Sequence, residues 1–194
     1  MSGMDESGVT LDSRQLRVLA HPLRSRLLSA LRLDGPATAT TLAAAMGSNT
    51  GATSYHLRQL AAVGLVVEDA EQGRGRERWW RAAHDSHSWY SRDVAGDPDD
   101  RAAATWLTEY QVRLFAEMIA GWVRDHYTHP PAWRDAAEVS DFGLTLPADR
   151  LRALNDDLHA VIERYEREAT GEGEQVLVFI AGFPRLPSAP GGSE

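Results

Sequence analysis

Residues 38–82 read TATTLAAAMGSNTGATSYHLRQLAAVGLVVEDAEQGRGRERWWRA, and their punctuation decides the fold. Thr38 precedes an Ala-rich segment carrying Leu42, Ala43 and Met46, and is suited to cap a short helix there. Gly47 closes that helix. Only Ser48 and Asn49 separate it from a second helical stretch, Thr50 to Val63. The inner face of this stretch is Thr53, Leu57, Leu60 and Ala61, spaced i, i+4, i+7 and i+8. Gly64 ends it, and two short helices joined by a turn with Gly form a helix-turn-helix. Leu65 to Glu68 then reads as a strand, Asp69 to Gly75 as a turn, and Arg76 to Arg81 as a second strand. A helix-turn-helix followed at once by a hairpin is a winged helix.

Upstream, Ser13 is placed to cap a helix from Arg14 to Ala20. His21-Pro22 restarts the chain, because Pro is tolerated at the first helical position. Leu23, Leu27, Leu28 and Leu31 follow at helical spacing, with Arg24, Arg26 and Arg32 on the wet face until Gly35-Pro36. Met1 to Thr10 and Ser188 to Glu194 are small and polar and read as disordered.

The charge supports a division of labour. The chain of 194 residues has a net charge of −8, with 20 basic residues that are all Arg. Residues 13–82 nevertheless hold 10 Arg against 5 Asp+Glu, whereas residues 93–194 hold 9 against 19. A modestly basic module is joined to an acidic one. On a recognition helix the outer face enters the major groove, and here it offers Thr50, Gly51, Ser54, Tyr55 and Arg58. Thr50 and Gly51 allow close backbone approach, Ser54 can bond a base edge, and Arg58 can fork onto guanine or a phosphate. Tyr55 can pack on a thymine methyl or bond a phosphate. Arg74, Arg76 and Arg78 give the wing its phosphate-binding charge. Thr38, Thr40 and Thr41 either present helix N–H groups to phosphate or merely cap. His56 reads as a packing residue rather than a DNA contact. Trp79 and Trp80 are neighbours on a strand, so they point to opposite faces, one of them into the core.

The stretch from Leu19 to Ala82 resembles the winged-helix domain of the ArsR family of bacterial transcriptional regulators. The residues that carry the resemblance are Leu19-Ala20-His21-Pro22-Leu23-Arg24, Tyr55-His56-Leu57-Arg58-Gln59-Leu60 and Gly64-Leu65-Val66. It implies double-stranded DNA as partner and a regulatory role. Many relatives sense metals through Cys or through His/Asp sets. With no Cys in this chain, thiolate metal sensing, disulfides and cysteine nucleophiles are all removed.

The second half reads as a dimerisation and effector unit. Asp97 to Asp100 is an acidic linker that favours the N-terminus of a helix from about Arg101 to Tyr127. Trp106, Leu107, Tyr110, Leu114, Phe115, Met118, Ile119, Trp122 and Val123 give it a wide apolar face. A two-fold partner is the simplest way to bury it. His126 and His129 are spaced to hold a metal, but only His84 and His87 could complete a set, so they read as loop residues and no metal ligand is assigned. Phe142, Leu144 and Leu146 alternate like a strand, Pro147 to Tyr165 reads as a helix, and Val176 to Ala181 is an apolar run of strand length. Trp133-Arg134, Leu144-Thr145-Leu146 and Phe183-Pro184 are similar in order to elements of chiefly actinobacterial winged-helix regulators. Trp89, Trp106, Tyr110, Trp122, Trp133 and Phe142 are candidates to line a pocket for a small apolar effector.

The expected fold is α+β and mainly helical: a winged helix-turn-helix, then a long dimerisation helix and a small strand–helix–strand unit. The expected divisions are a disordered N-terminus over 1–12, a DNA-binding domain over 13–92, a dimerisation and effector domain over 93–186, and a flexible tail over 187–194. No catalytic constellation or Gly-rich phosphate loop with a following Lys is present, so no enzyme activity or cofactor is expected. No apolar run reaches the roughly 18 residues of a membrane span, nor does the start read as a signal peptide, so the expected location is cytoplasmic. The expected function is a homodimeric regulator, a repressor acting on a palindromic operator. Two other readings stay open: a metal-responsive regulator with His ligands, and a winged-helix protein-interaction module without DNA.

Overall fold

A computed structural model of the chain describes residues 8–70, 77–89, 91–169 and 173–185. Two compact units result, Met1–Ile119 and Ala120–Glu194.

In the first unit the order is β1 (Gly8–Thr10), α1 (Ser13–Leu19), α2 (Pro22–Leu33), β2 (Ala37–Thr38), α3 (Ala39–Met46), α4 (Thr50–Ala61), β3 (Val66–Glu68), β4 (Trp79–Ala82), β5 (Ser86–Ser88), α5 (Ser91–Val94) and the start of α6 (Pro98–Asp125). The helix-turn-helix therefore forms as the spacing predicts, and β3 pairs with β4, although β4 begins at Trp79 rather than Arg76, and residues 71–76, with most of the expected turn, lie outside the described residues. Thr38 caps α3 by accepting from the Thr41 amide at 3.1 Å. Gly47, at φ 64°, supplies the left-handed turn into α4, and Gly64, at φ 73°, does the same between α4 and β3. β4 is central in an antiparallel sheet of order β2-β4-β3, with Thr38 opposite Trp79 and Val67 opposite Arg81.

Period sets the core. Leu27, Leu28 and Leu31 of α2 meet Leu57 and Leu60 of α4, with Leu16, Leu42, Leu65, Trp80 and Leu107 in the same cluster. Each fully buried Leu contributes about 1.5–3 kcal/mol relative to exposure. Of the paired tryptophans, Trp80 enters this core at 3% exposure and Trp79 stays half-exposed on the other face.

Four details differ from the sequence reading. Asp12, not Ser13, caps α1: its carboxylate accepts from the Gln15 amide at 2.7 Å, and the Gln15 side chain accepts from the Asp12 amide at 3.0 Å. This reciprocal capping box outcompetes the single bond a Ser cap could make. Gly8–Thr10 is not disordered but pairs in parallel with β5, Gly8 lying opposite Ser86. Arg32 is not on the wet face. Its Nε donates to the His84 carbonyl at 2.9 Å and a terminal nitrogen meets His87 Nδ1. Burial lowers the Arg32 guanidinium to about 10 and, with Arg32 beside it, the His87 imidazole to about 3. The recognition helix stops at Ala61, short of Val63.

The second unit holds the end of α6, a 3-10 turn (His126–Thr128), α7 (Pro131–Ala136) and α8 (Ala148–Glu168). The expected strand–helix–strand is not formed: residues 142–146 and 176–181 contain no strand, and only α8 between them stands. Strands require a neighbouring strand, and neither stretch enters a sheet among the described residues. Phe142 is 83% and Val176 63% exposed. Gly182, just past the second stretch, sits against α8: a Cβ there would lie 3.0 Å from Asn155 Oδ1 and 3.3 Å from a Leu151 methyl. No helix of the described residues is long and apolar enough to cross a membrane.

Candidate nucleic-acid interface

α4 is fixed from both ends and from one side. Asn49 caps it, accepting from the Ala52 amide at 2.8 Å. Gly51 leaves room for that cap, since a Cβ there would press to 3.3 Å from Asn49 Oδ1. Thr53, Leu57 and Leu60 face inward with no exposure. The remaining positions are thereby turned outward: Thr50, Gly51 and Arg58 are exposed, Tyr55 is 52% exposed, and Ser54 is half-buried. Arg58 Nε donates to the Ser54 carbonyl at 3.2 Å, which lays its stem along the helix and keeps the guanidinium at the surface.

Thr50, Ser54 and Arg58 form one wall of a cleft of about 330 Å³. Opposite them stand Thr38, Ala39 and Thr40 from the start of α3, and Glu77, Arg78 and Trp80 from the wing. Four predicted contact residues thus converge on a single site, joined by the N-terminus of α3. Thr38 is itself buried and spent on capping, whereas Thr40 is exposed in the cleft. Arg78 is paired with Glu68 at 2.9 Å and lies over the Trp80 ring at 5.7 Å. Both partners of that pair are more than half exposed, so the bond is weak and leaves Arg78 free to exchange partners. Arg74 and Arg76 lie outside the described residues.

His56 packs as a ring within the module. Its centroid is 4.6 Å from that of His21 and 5.2 Å from that of Tyr55. Burial first, then the Arg24 charge, lowers both imidazoles below the usual histidine value, and His56 adds to the effect on His21. Both rings are therefore neutral at pH 7.

The six aromatic pocket candidates fall in two units. Trp89 and Trp106 pack against the leucine core of the first, and Tyr110 stacks on Trp106 at 5.5 Å with the rings nearly parallel. In the second, Trp122 sits between His129 at 5.0 Å and His126 at 6.0 Å, Trp133 is half-buried, and Phe142 projects outward. Among the described residues no group of three or more His, Asp or Glu side chains comes together to hold a metal. Arg32 bonds the His87 ring and the His84 carbonyl, and its positive charge opposes a cation there.

A feature that sequence spacing did not reveal joins α1 to α6. Arg17 pairs with Asp97 at 2.8 Å and with Asp100 at 2.5 Å. Asp97 also accepts from the Asp99 amide at 2.8 Å, so the acidic linker caps α6 and seats α1 together. The Arg17 hydrogen bond holds the Asp100 carboxyl below its usual range. The sequence signal was only the acidic cluster, which named no partner.

Residues 19–69 match the family model of a helix-turn-helix domain. Among the curated proteins none matches the chain. Solved structures similar to it include a possible transcriptional regulator for arsenical resistance, 31% identical, with a TM-score of 0.33, over 54% of this chain and 95% of that one. Another is the homodimeric winged helix-turn-helix DNA-binding domain of a possible ArsR-family regulator from Mycobacterium bovis, 22% identical, with a TM-score of 0.33, over 61% and 85%. A third is a Mycobacterium tuberculosis protein, 18% identical, with a TM-score of 0.32, over 76% and 81%.

Proposed function

We propose that this chain, a member of the helix-turn-helix domain family through residues 19–69, is a homodimeric, ArsR-type transcriptional regulator that binds double-stranded DNA. The observation that carries the reading is the outward face of α4. Thr50, Ser54 and Arg58 line one cleft with Thr40 and the wing residue Arg78, so base-reading and phosphate-binding groups share a surface.

In this reading residues 13–92 are the DNA-binding domain, and α4 enters the major groove with Arg58 and Ser54 toward base edges. Arg78, with Arg74 and Arg76, contacts the backbone. Residues 93–186 serve dimerisation and effector response. Along α6, Leu114, Phe115, Met118 and Trp122 remain half-exposed in the single chain, which a second copy would cover. Two recognition helices set about 34 Å apart would read a palindromic operator, with repression as the outcome of occupancy. An apolar effector would act by binding the two DNA-spacing states with different affinity. The protein is then a cytoplasmic regulator with no catalytic step.

Selection of bound genomic fragments with purified protein tests this. The expected result is a palindromic consensus whose affinity falls steeply with salt. No DNA binding at low salt would overturn the reading and favour a protein-interaction module.

A further inference from the structure

A second cleft, of about 390 Å³, opens beside α4 and is built from α1, α2 and α4: Ser13, Arg14, Arg17, Val18, Arg24 and Gln59 line it. Its position relative to the first cleft follows from helical period. At about 100° per residue, Gln59 stands about 140° around the helix axis from Ser54, with Tyr55 between them. Thr53, Leu57 and Leu60 occupy the opposite, buried side. The two clefts therefore flank the exposed face of α4 left and right.

The charge in this second cleft is only partly spent. Arg17 is neutralised by Asp97 and Asp100. Arg24 gives its Nε to the Val18 carbonyl, which fixes the guanidinium at the cleft without cancelling its charge. Arg14 is exposed and makes no ion pair among the described residues. Arg14 and Arg24 are thus the cations of this cleft that no carboxylate among the described residues holds, and with Arg17, Asp97 and Asp100 counted the net charge there is +1. A duplex taking a helix into its major groove, about 12 Å wide, presents a phosphate strand on each wall.

We propose that Arg14 and Arg24 form a second phosphate site, which grips the strand on the groove wall away from the wing. This rests on the DNA-binding reading above and adds residues to it. The α3–wing cleft takes one strand and the α1–α2 cleft the other, so α4 is clamped from both sides and its depth in the groove is set by two backbone contacts. Arg17 has a different task in the same cleft: held by Asp97 and Asp100, it seats α1, which carries Arg14 at the cleft lining.

The test is fluorescence anisotropy of the full chain with a labelled duplex of about 30 bp, of random sequence and then of the selected site, across a salt series. Arg14→Ala and Arg24→Ala are each expected to lower the slope of log K against log salt by about 0.9 per protomer, about 1.8 for the bound dimer, leaving the base preference unchanged. Gln59→Arg, which adds a cation to the same wall, is expected to raise the slope by a similar amount, a gain that misfolding cannot imitate. Hydroxyl-radical footprints on the selected site should lose protection on one strand of each half-site in Arg14→Ala, the two strands being exchanged by the dyad. If the wild-type chain binds DNA, Arg58→Ala changes its preference, and all three slopes stay at the wild-type value, the second phosphate site is refuted while the DNA-binding reading stands. If the wild-type chain binds no duplex, both fail.

Discussion

Thr53 gives a sharp test of how α4 is held. Its side chain has no exposure, yet its hydroxyl has no hydrogen-bond partner among the described residues. An orphaned buried hydroxyl costs about 1–3 kcal/mol. Thr53→Val keeps the β-branched shape, removes the orphan and adds apolar burial worth up to about 0.8 kcal/mol. The expected gain is about 1–3 kcal/mol. For a cooperative unit of 60–100 residues each kcal/mol is worth roughly 4–8 °C in Tm. Thr53→Ser, which deletes the methyl and leaves the hydroxyl, should instead cost about 1 kcal/mol. Urea titrations followed by tryptophan fluorescence would read both, because Trp80 is buried in the same core. The midpoint should move with an unchanged m-value. DNA affinity should hold in both variants, since Thr53 points away from Tyr55 and Arg58. A Thr53→Val chain less stable than wild type by more than about 0.5 kcal/mol would show that the hydroxyl is satisfied and refute the reasoning.

Three further outcomes are expected. Arg58→Ala should weaken binding to the selected site by about 1–3 kcal/mol and relax its base preference, measured by competition among duplex variants. Leu114→Glu with Met118→Glu should convert the dimer to monomer in sedimentation velocity and abolish preference for two half-sites over one, because charge on an apolar interface leaves each copy uncovered. His87 has a folded value of about 3, below its unfolded value, so the unfolded chain takes the proton first. Its contribution is complete above about pH 6.5 and lost as pH falls toward 3, at a slope approaching 1.4 kcal/mol per pH unit. His87→Gln should remove that slope from stability measured between pH 6 and 4, both values being approximate bounds of the window.

The winged helix was legible because its signals are local. Thr38, Gly47 and Gly64 punctuate, and the spacing of Thr53, Leu57 and Leu60 orients α4, so the faces of Thr50, Ser54 and Arg58 follow. What escaped was set by choice between neighbours or by distant pairing. Asp12 and Ser13 are both good caps, and Gln15 decides between them by standing three residues after Asp12. The second flank of α4 depends on side chains from three helices, and no single segment records it. In the second half, alternation at 142–146 marked where apolar groups could sit without saying whether a partner strand exists. At Gly182 the backbone meets α8 rather than another strand.

The pairing of β1 with β5 has a consequence for biosynthesis. Gly8 lies opposite Ser86, so this parallel contact closes a loop of about 80 residues that contains the entire helix-turn-helix and wing. On the ribosome that closure waits until β5 has left the exit tunnel, by which time α1 to α4 have emerged. β1 therefore docks only after the helices between it and β5 have emerged, and α6, later still in the chain, brings Leu107 and the carboxylates that hold Arg17 to the same unit after it.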